Sequence, residues 1–535
     1  MQAQFSGEHL ISSLKDLPPK DKRLAAAVIF PDSYFLGMSY LGLQAVYGLI
    51  LERTPFAPQL LFCDDDGLVY RHPSEVRRGY HPPELHKFDL LAFSLPYELG
   101  YINLCRVLAA QGIPIRAAER SGLPLVVAGG YAPTMNPEPV AEIVDLAYLG
   151  EAEGGFEPFL AALGNQCGAL HASREQEAKC EFLRPFAGKP GFYLPMRPAA
   201  ERAVQHQMKD LDTFPVFSRI VAEKTSFPRR HLIQIARGCA AKCRFCLAGH
   251  LTRPLRFLSR EAILAGAHRA QGITDRLGII SASPSDHPRI RQLTRTLVGD
   301  GFRLSFSSLR LNSIDDEMLA CLLKGGQQTL TIAPEVLDEA YRERIAKPYP
   351  ANADILERTR AFLRAGVRRL KFYYILGFDF EDDGYIRKLG GFLSEIASIA
   401  ESARPGRRSP SVAFSFSFFV PKPQTPLELA PMPPVSELKR RRKLLKRCVR
   451  GACTLKFESA ERALLQEALS RGGREALAIL SYLSEHPLRA SSIRTAISAF
   501  DLEPRAAHPQ RRWPRIASDL TEGGKPAERL RSNRA

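Results

Sequence analysis

The chain has 535 residues, more than a single hydrophobic core ordinarily supports, so two or three domains are expected and a lone peptide-like module is excluded. Its 74 Lys and Arg against 57 Asp and Glu leave a net charge of +17, which suits nucleic acid, an acidic substrate or plain solubility and selects none of them. The opening residues MQAQFSGEHL lack the apolar core of a signal peptide, and the run VAFSFSFFV at 412–420 is far shorter than the ~20 residues that span a bilayer, so a cytoplasmic protein without a membrane segment is expected.

Taken in order, the chain first shows short apolar runs: AAAVIF at 25–30, QLLFC at 59–63, DLLAFS at 89–94, PLVVAGG at 124–130 and DLAYLG at 145–150. Stretches of helical spacing separate them, such as Leu41, Val46 and Ile50. This alternation predicts a parallel, doubly wound α/β domain over 1–165, with its ligand site beyond the carboxyl ends of the strands. Residues 166–226 lose the rhythm and read as a connector with one hairpin. A second α/β series follows over 227–435, with strands expected at 231–236, 276–283, 302–310, 328–335, 368–377 and 411–423. Six such units predict a partial (β/α)6 TIM-type barrel, whose functional residues gather at the carboxyl strand ends. Residues 436–487 read as a helical C-terminal region that begins with the basic stretch ELKRRRKLLKRCVR, and 488–535 as a mostly disordered basic tail.

The chemistry concentrates in RGCAAKCRFCLAGH at 237–250, where Cys239, Cys243 and Cys246 follow the first barrel strand in the spacing C-x3-C-x2-C. Ten cysteines in a reducing compartment are not a disulfide framework, and only these three are clustered. Two metal sites suit them. With His250 they give a closed Cys3His zinc site. Alternatively they hold a [4Fe-4S] cluster whose fourth iron lacks a protein ligand. The second arrangement, at the carboxyl end of a barrel strand, resembles the radical S-adenosylmethionine (SAM) superfamily, in which SAM chelates the open iron. That resemblance implies that Phe245 packs near the adenine, and that Ser281, Ser283 and Asp286 stand where the superfamily often has a Gly-Gly-Glu stretch for the methionine amino group. At later strand ends, Arg310 is a candidate fork for the SAM carboxylate and Glu335 an acceptor for the ribose hydroxyls. Lys371, Tyr373 and Gly377 lie on the next strand, where alternation turns only half of them inward.

The first turn of the N-terminal domain, FPDSYFLGMSYLG, has no G-x-G-x-x-G, so a dinucleotide cradle is not supported. It is similar to the D-x-H-x-x-G turn of flavodoxin-like (Rossmann-type) cobalamin-binding domains, with Asp32, Gly37, Ser94, Gly129 and Gly130 in comparable places and Tyr34 where the histidine stands. The substitution implies a cobalamin without a lower histidine ligand. The overall resemblance, over roughly residues 20–485, is to the B12-binding radical SAM proteins. Stretches that resemble an uncharacterised subgroup include PDSYFLGMSYLGLQ, FSLPYELGYIN, AGGYAPTMNPEP, LTIAPE and FVPKPQTP; the subgroup often has His where Gln424 stands here. The resemblance implies reductive cleavage of SAM to a 5′-deoxyadenosyl radical, methyl transfer to an unactivated carbon, and an electron donor such as flavodoxin or ferredoxin. Two alternatives stay open: a radical SAM enzyme that modifies RNA and anchors it on the basic helix at 437–450, and a zinc-bearing binding protein. The second cysteine cluster of methylthiotransferases has no counterpart, since Cys63, Cys105, Cys167 and Cys180 are scattered. No residue pattern names the substrate or a catalytic side chain.

Overall fold

A computed structural model of the chain describes residues 5–11, 24–173, 176–195, 202–403, 410–499 and 513–522. These divide into two units, the first holding the described residues up to Pro228 together with those from Leu469 onward, the second running from Arg229 to Ala468.

In the first unit all five predicted strands form: β1 (Ala26–Phe30), β2 (Gln59–Cys63), β3 (Leu90–Ser94), β4 (Leu125–Gly129) and β5 (Leu146–Tyr148). They pair in parallel in the order 2-1-3-4-5, and the short segments Val69–Tyr70 and Phe192–Tyr193 close the two edges antiparallel. This is the flavodoxin-like order, with its switch point between β1 and β3. Helices α1 (Leu41–Arg53), α2 (Gly100–Ala110) and α3 (Glu157–Ala172) alternate with the strands. Val28, Ile29 and Phe30 are almost wholly buried, as expected of a strand covered on both faces. Each such side chain contributes roughly 1.5–3 kcal/mol by leaving water.

The stretch 166–226 differs from the expected connector. It carries the end of α3, the helix Gln176–Leu183 and the strands Arg202–Gln205 and Ile220–Ala222, all within the first unit. Its aromatic residues explain this: Phe182, Phe186 and Phe192 pack with Phe159 of α3 at ring separations of 5.2–6.1 Å.

The second unit contains the six predicted parallel strands: β6 (His231–Gln234), β7 (Arg276–Ile280), β8 (Arg303–Phe306), β9 (Thr329–Glu335), β10 (Arg369–Leu376) and β11 (Ser411–Phe418). A seventh, β12 (Thr454–Phe457), adds in parallel to β11 inside the region expected to be helical. It is four residues long and only half-buried, which is why its pattern does not stand out between two helices. The strands form two parallel sheets, β6-β7-β8 and β9-β10-β11-β12, rather than one closed barrel. The gap between β8 and β9 is bridged by Leu304 N–H to Gly325 O at 2.8 Å and by Phe306 N–H to the Gln327 side chain at 3.0 Å. Helices α4 (Arg260–His268), α5 (Ile290–Gly299), α6 (Asp316–Lys324), α7 (Asn352–Ala365) and α8 (Asp383–Ser402) connect the strands, and α9 (Val435–Cys448) leads to β12.

Beyond Leu469 the chain returns to the first unit, where α10 (Ala476–Ser484) packs on α2. The Arg106 guanidinium of α2 donates to the carbonyls of Leu483 and His486 at 3.0 and 2.7 Å. The expected tail from 488 is also partly ordered. Ile493, Ala496 and Ile497 give α11 (Ala490–Ala499) a buried face, and Arg515–Ser518 pairs in parallel with Arg202–Gln205 beside a buried Trp513. The rest of that expectation, at 500–512 and 523–535, lies outside the described residues.

Candidate active site

The cysteine loop leaves β6 through the short strand Ala236–Arg237 and stays at the carboxyl end of the second unit's strands. Three other strand-end loops hold it. From the loop after β9, Ile345 O accepts the Arg244 N–H at 2.9 Å; from the segment after β11, the Leu427 N–H donates to Arg244 O at 3.2 Å. From the loop after β7, Asp286 accepts the Ala240 N–H at 3.0 Å, with Cys239 Sγ 3.9 Å from the same carboxylate. Phe245, between the last two cysteines, packs on a buried cluster of Val336, Ile345, Phe378 and Phe419, with its ring edge-on to Phe378 at 6.4 Å.

Cys243 is buried and Cys239 and Cys246 are half-buried. Burial pushes the Cys243 thiol up to about 11; the Lys347 ammonium opposes the rise, while the two neighbouring cysteines and Glu335 add to it. Burial also raises Cys246, against backbone N–H groups of Ala248 and Gly249. The three thiols therefore share one neighbourhood. Among the described residues no three His, Cys, Asp or Glu side chains converge as a single metal ion would require. A cluster has no such need, because each thiolate binds its own iron. His250 does not complete a zinc set: its Nε2 lies 3.0 Å from the Cys243 carbonyl oxygen.

The predicted SAM residues gather around this loop. Asp286 and Arg310, read as separate cofactor contacts, pair with each other at 2.8 Å, with 6% of the Asp286 side chain exposed. The Ser281 and Ser283 hydroxyls are buried with no hydrogen-bond partner, a state that ordinarily costs about 1–3 kcal/mol per group and suits a polar ligand. Glu335, at φ +68°, is held by Lys347 at 2.9 Å. Lys347 was not singled out from sequence, since IAKPYP carries no recognisable spacing. Of the weaker candidates, Tyr373 is 42% exposed and Lys371 half-buried on one face of β10, whereas the Gly377 N–H is spent on Glu381 at 2.7 Å. The Gln424 N–H is spent on Glu428 at 2.8 Å.

In the first unit the six cobalamin candidates lie at the carboxyl ends of β1, β3 and β4, where the fold itself uses most of them. Asp32 accepts the Tyr97 hydroxyl at 2.7 Å and the Ser33 N–H at 2.6 Å. Tyr34 is 2% exposed, wedged between Phe62 and His72, with its hydroxyl donated to Glu8, so it is not offered to a ligand. A Cβ at Gly37 would come within 2.5 Å of the Phe62 ring; one at Gly130, where φ is +114°, within 2.6 Å of Leu95 O. Both glycines thus serve close packing. Ser94 is buried, and Gly129 O receives the Leu95 N–H at 2.8 Å. Phe35, Leu36 and Tyr131, unnoticed in the sequence, are 48%, 42% and 37% exposed in the turns after β1 and β4. These apolar surfaces suit the face of a flat ring system, and the buried Tyr34 hydroxyl is already engaged by Glu8.

Residues 233–393 match the Radical SAM superfamily, and residues 42–195 match the family of N-terminal regions described as Radical SAM proteins, N-terminal. The chain belongs to the radical SAM superfamily. It is therefore an enzyme of the class that uses a [4Fe-4S] cluster and SAM. An uncharacterised protein of Methanocaldococcus jannaschii, MJ0966, is 24% identical to this radical SAM protein over 463 residues, covering 86% of this chain and 91% of that one. Among solved structures, the radical SAM methyltransferase TsrM of Kitasatospora setae, with tryptophan and a SAM analogue bound, aligns at 13% identity and a TM-score of 0.46, covering 76% of this chain and 75% of that one. The cobalamin-dependent radical SAM enzyme OxsB with aqua-cobalamin aligns at 14% identity and a TM-score of 0.44, covering 69% and 52%. Among the described residues no helix is long and apolar enough to cross a membrane.

Proposed function

We propose that this radical SAM enzyme is a cobalamin-dependent methyltransferase acting on an unactivated carbon, with Cys239, Cys243 and Cys246 holding the cluster. The observation that supports the reading is that three thiols and two orphaned hydroxyls, Ser281 and Ser283, lie on two carboxyl strand-end loops that Asp286 joins. When bound, the cluster and SAM supply an organic radical, and cobalamin supplies a methyl carrier. The chain's own residues bind and orient. Asp286 pins the cysteine loop, the two serine hydroxyls meet polar groups of SAM, Glu335 and Lys347 offer a paired acceptor and donor, and Phe245 gives an apolar wall. In the first unit Phe35, Leu36 and Tyr131 would hold the corrin by its apolar face.

The RNA reading keeps only part of the helix it relies on: Lys443, Lys446 and Arg447 are exposed, while three neighbouring cations are engaged within the fold. On α9, Lys439 pairs with Glu461, Arg440 with Glu437 and Asp383, and Arg441 with Glu437 and Glu381. Side chains so engaged are poorly available to phosphates.

The test is anaerobic reconstitution with cluster and cobalamin followed by desalting. Wild-type protein is expected to keep about one corrin per chain by its visible absorbance, and Phe35→Asp to keep much less. With SAM and dithionite, wild type should release 5′-deoxyadenosine and Cys243→Ala should not. No retained corrin would end the cobalamin reading; deoxyadenosine release by Cys243→Ala would end the cysteine assignment.

A further inference from the structure

The carboxyl ends of the second unit's strands carry the cysteine loop, and the amino ends carry arginines. Arg276 opens β7, Arg303 opens β8, Arg369 opens β10, and Arg230 directly precedes β6. Arg276 and Arg303 are register partners on adjacent parallel strands, about 4.8 Å apart. Along these strands Leu277, Ile279, Leu304, Phe306, Leu370 and Phe372 are buried, so alternation puts the arginines on the opposite, more open face. Arg303 and Arg369 are exposed and Arg276 is half-buried.

Arg230 supplies an independent observation. Its Nη1 is buried and has no hydrogen-bond partner. Burial, and then the like charges of Arg276 and Arg303, hold its guanidinium below the usual arginine range. One acid, Asp275, partly offsets these charges. Asp275 lies 4.0 Å from Arg276 at an exposed position, and Asp300 faces His268 at 3.3 Å. Like charges side by side on neighbouring strands oppose folding. The amino end of a barrel serves stability, and three arginines at neighbouring strand starts do the reverse unless an anion joins them.

We propose that Arg230, Arg276 and Arg303 form an anion site at the amino ends of β6, β7 and β8, taking the phosphate or pyrophosphate group of a small phosphorylated ligand. Planar guanidinium forks match phosphate oxygens two at a time. Placement at adjacent strand starts, with one guanidinium nitrogen buried, suits a compact anion better than an extended backbone, which asks for a line of exposed cations. The site lies at the strand ends opposite the cysteine loop and does not depend on the radical chemistry.

Isothermal titration of the full-length protein with sodium pyrophosphate and with sodium phosphate, at low ionic strength, tests the proposal. Pyrophosphate is expected to bind wild type, to bind Arg303→Gln at least tenfold more weakly, and to bind Lys443→Gln, a charge-matched change at an exposed position of α9, as wild type does. Without ligand, Arg303→Gln is expected to melt no lower than wild type, because a repulsive charge has been removed. Absence of pyrophosphate binding, equal binding by Arg303→Gln, or a lower unliganded melting temperature for that variant overturns the proposal. So does a single-stranded RNA oligonucleotide that binds through Arg303 where pyrophosphate does not.

Discussion

Asp286 holds the candidate site together at the level of single residues. Its carboxylate receives the Arg310 guanidinium, the Ala240 amide and the vicinity of Cys239 at once. Sequence reasoning placed Asp286 and Arg310 at the right strand ends and assigned both to SAM, because a strand-end carboxylate and guanidinium look alike whether they serve a ligand or each other. The two roles separate experimentally. Losing a charge-assisted hydrogen bond of this kind costs about 1.5–3 kcal/mol, so Asp286→Ala should lose more than half of the iron retained after reconstitution and melt at a lower temperature. Full iron content with weakened SAM binding would instead make Asp286 a SAM contact. The thiols were legible because their spacing is local. Lys347 was not, because its proximity to Cys243 arises from the path of the loop after β9.

At the level of elements, α9 was read from its charge run, and its partners were invisible to that reading. Its central contact is Arg441 to Glu381 at 2.9 Å, where the carboxylate also accepts the Gly377 N–H and leaves Oε1 buried without a partner. Arg441→Met would strand that carboxylate and is expected to destabilise the second unit by about 3–5 kcal/mol, measured as a fall in its melting transition. Burial raises Glu381 to about 7, above the ordinary 4.5. A raised acid stabilises the fold below its ordinary value and loses that contribution as pH climbs through the folded value. Wild type should therefore lose thermal stability between pH 4.5 and pH 7 relative to Glu381→Gln; parallel pH profiles would contradict this. The strands themselves were easier to read than their boundaries. Fully buried runs such as AAVIF and alternating ones such as RLKFYYIL carry their own period, whereas the four residues of β12 borrow their place from pairing with β11.

For the whole molecule, the order of two α/β series was legible because each alternates strand and helix over a long stretch. The return of the chain to the first unit after Ala468 was not, because nothing local marks it. The buried hydrogen bonds from Asn136 to Ser470 O and Gly472 O, at 2.9 and 2.8 Å, join residues more than 300 positions apart. The turn after β1 resembles a cobalamin-binding turn in its pattern, yet Gly37 and Tyr34 serve packing, and the exposed Phe35, Leu36 and Tyr131 are visible only with the fold. The central claim is a three-thiolate cluster with one iron open to SAM. Electron paramagnetic resonance of the anaerobically reconstituted, dithionite-reduced full-length protein, recorded with and without SAM, tests it most directly. A reduced [4Fe-4S] signal whose shape shifts on adding SAM, and which is absent from Cys243→Ala, is the expected result. A signal indifferent to SAM, or a protein that binds zinc and no iron, would contradict it.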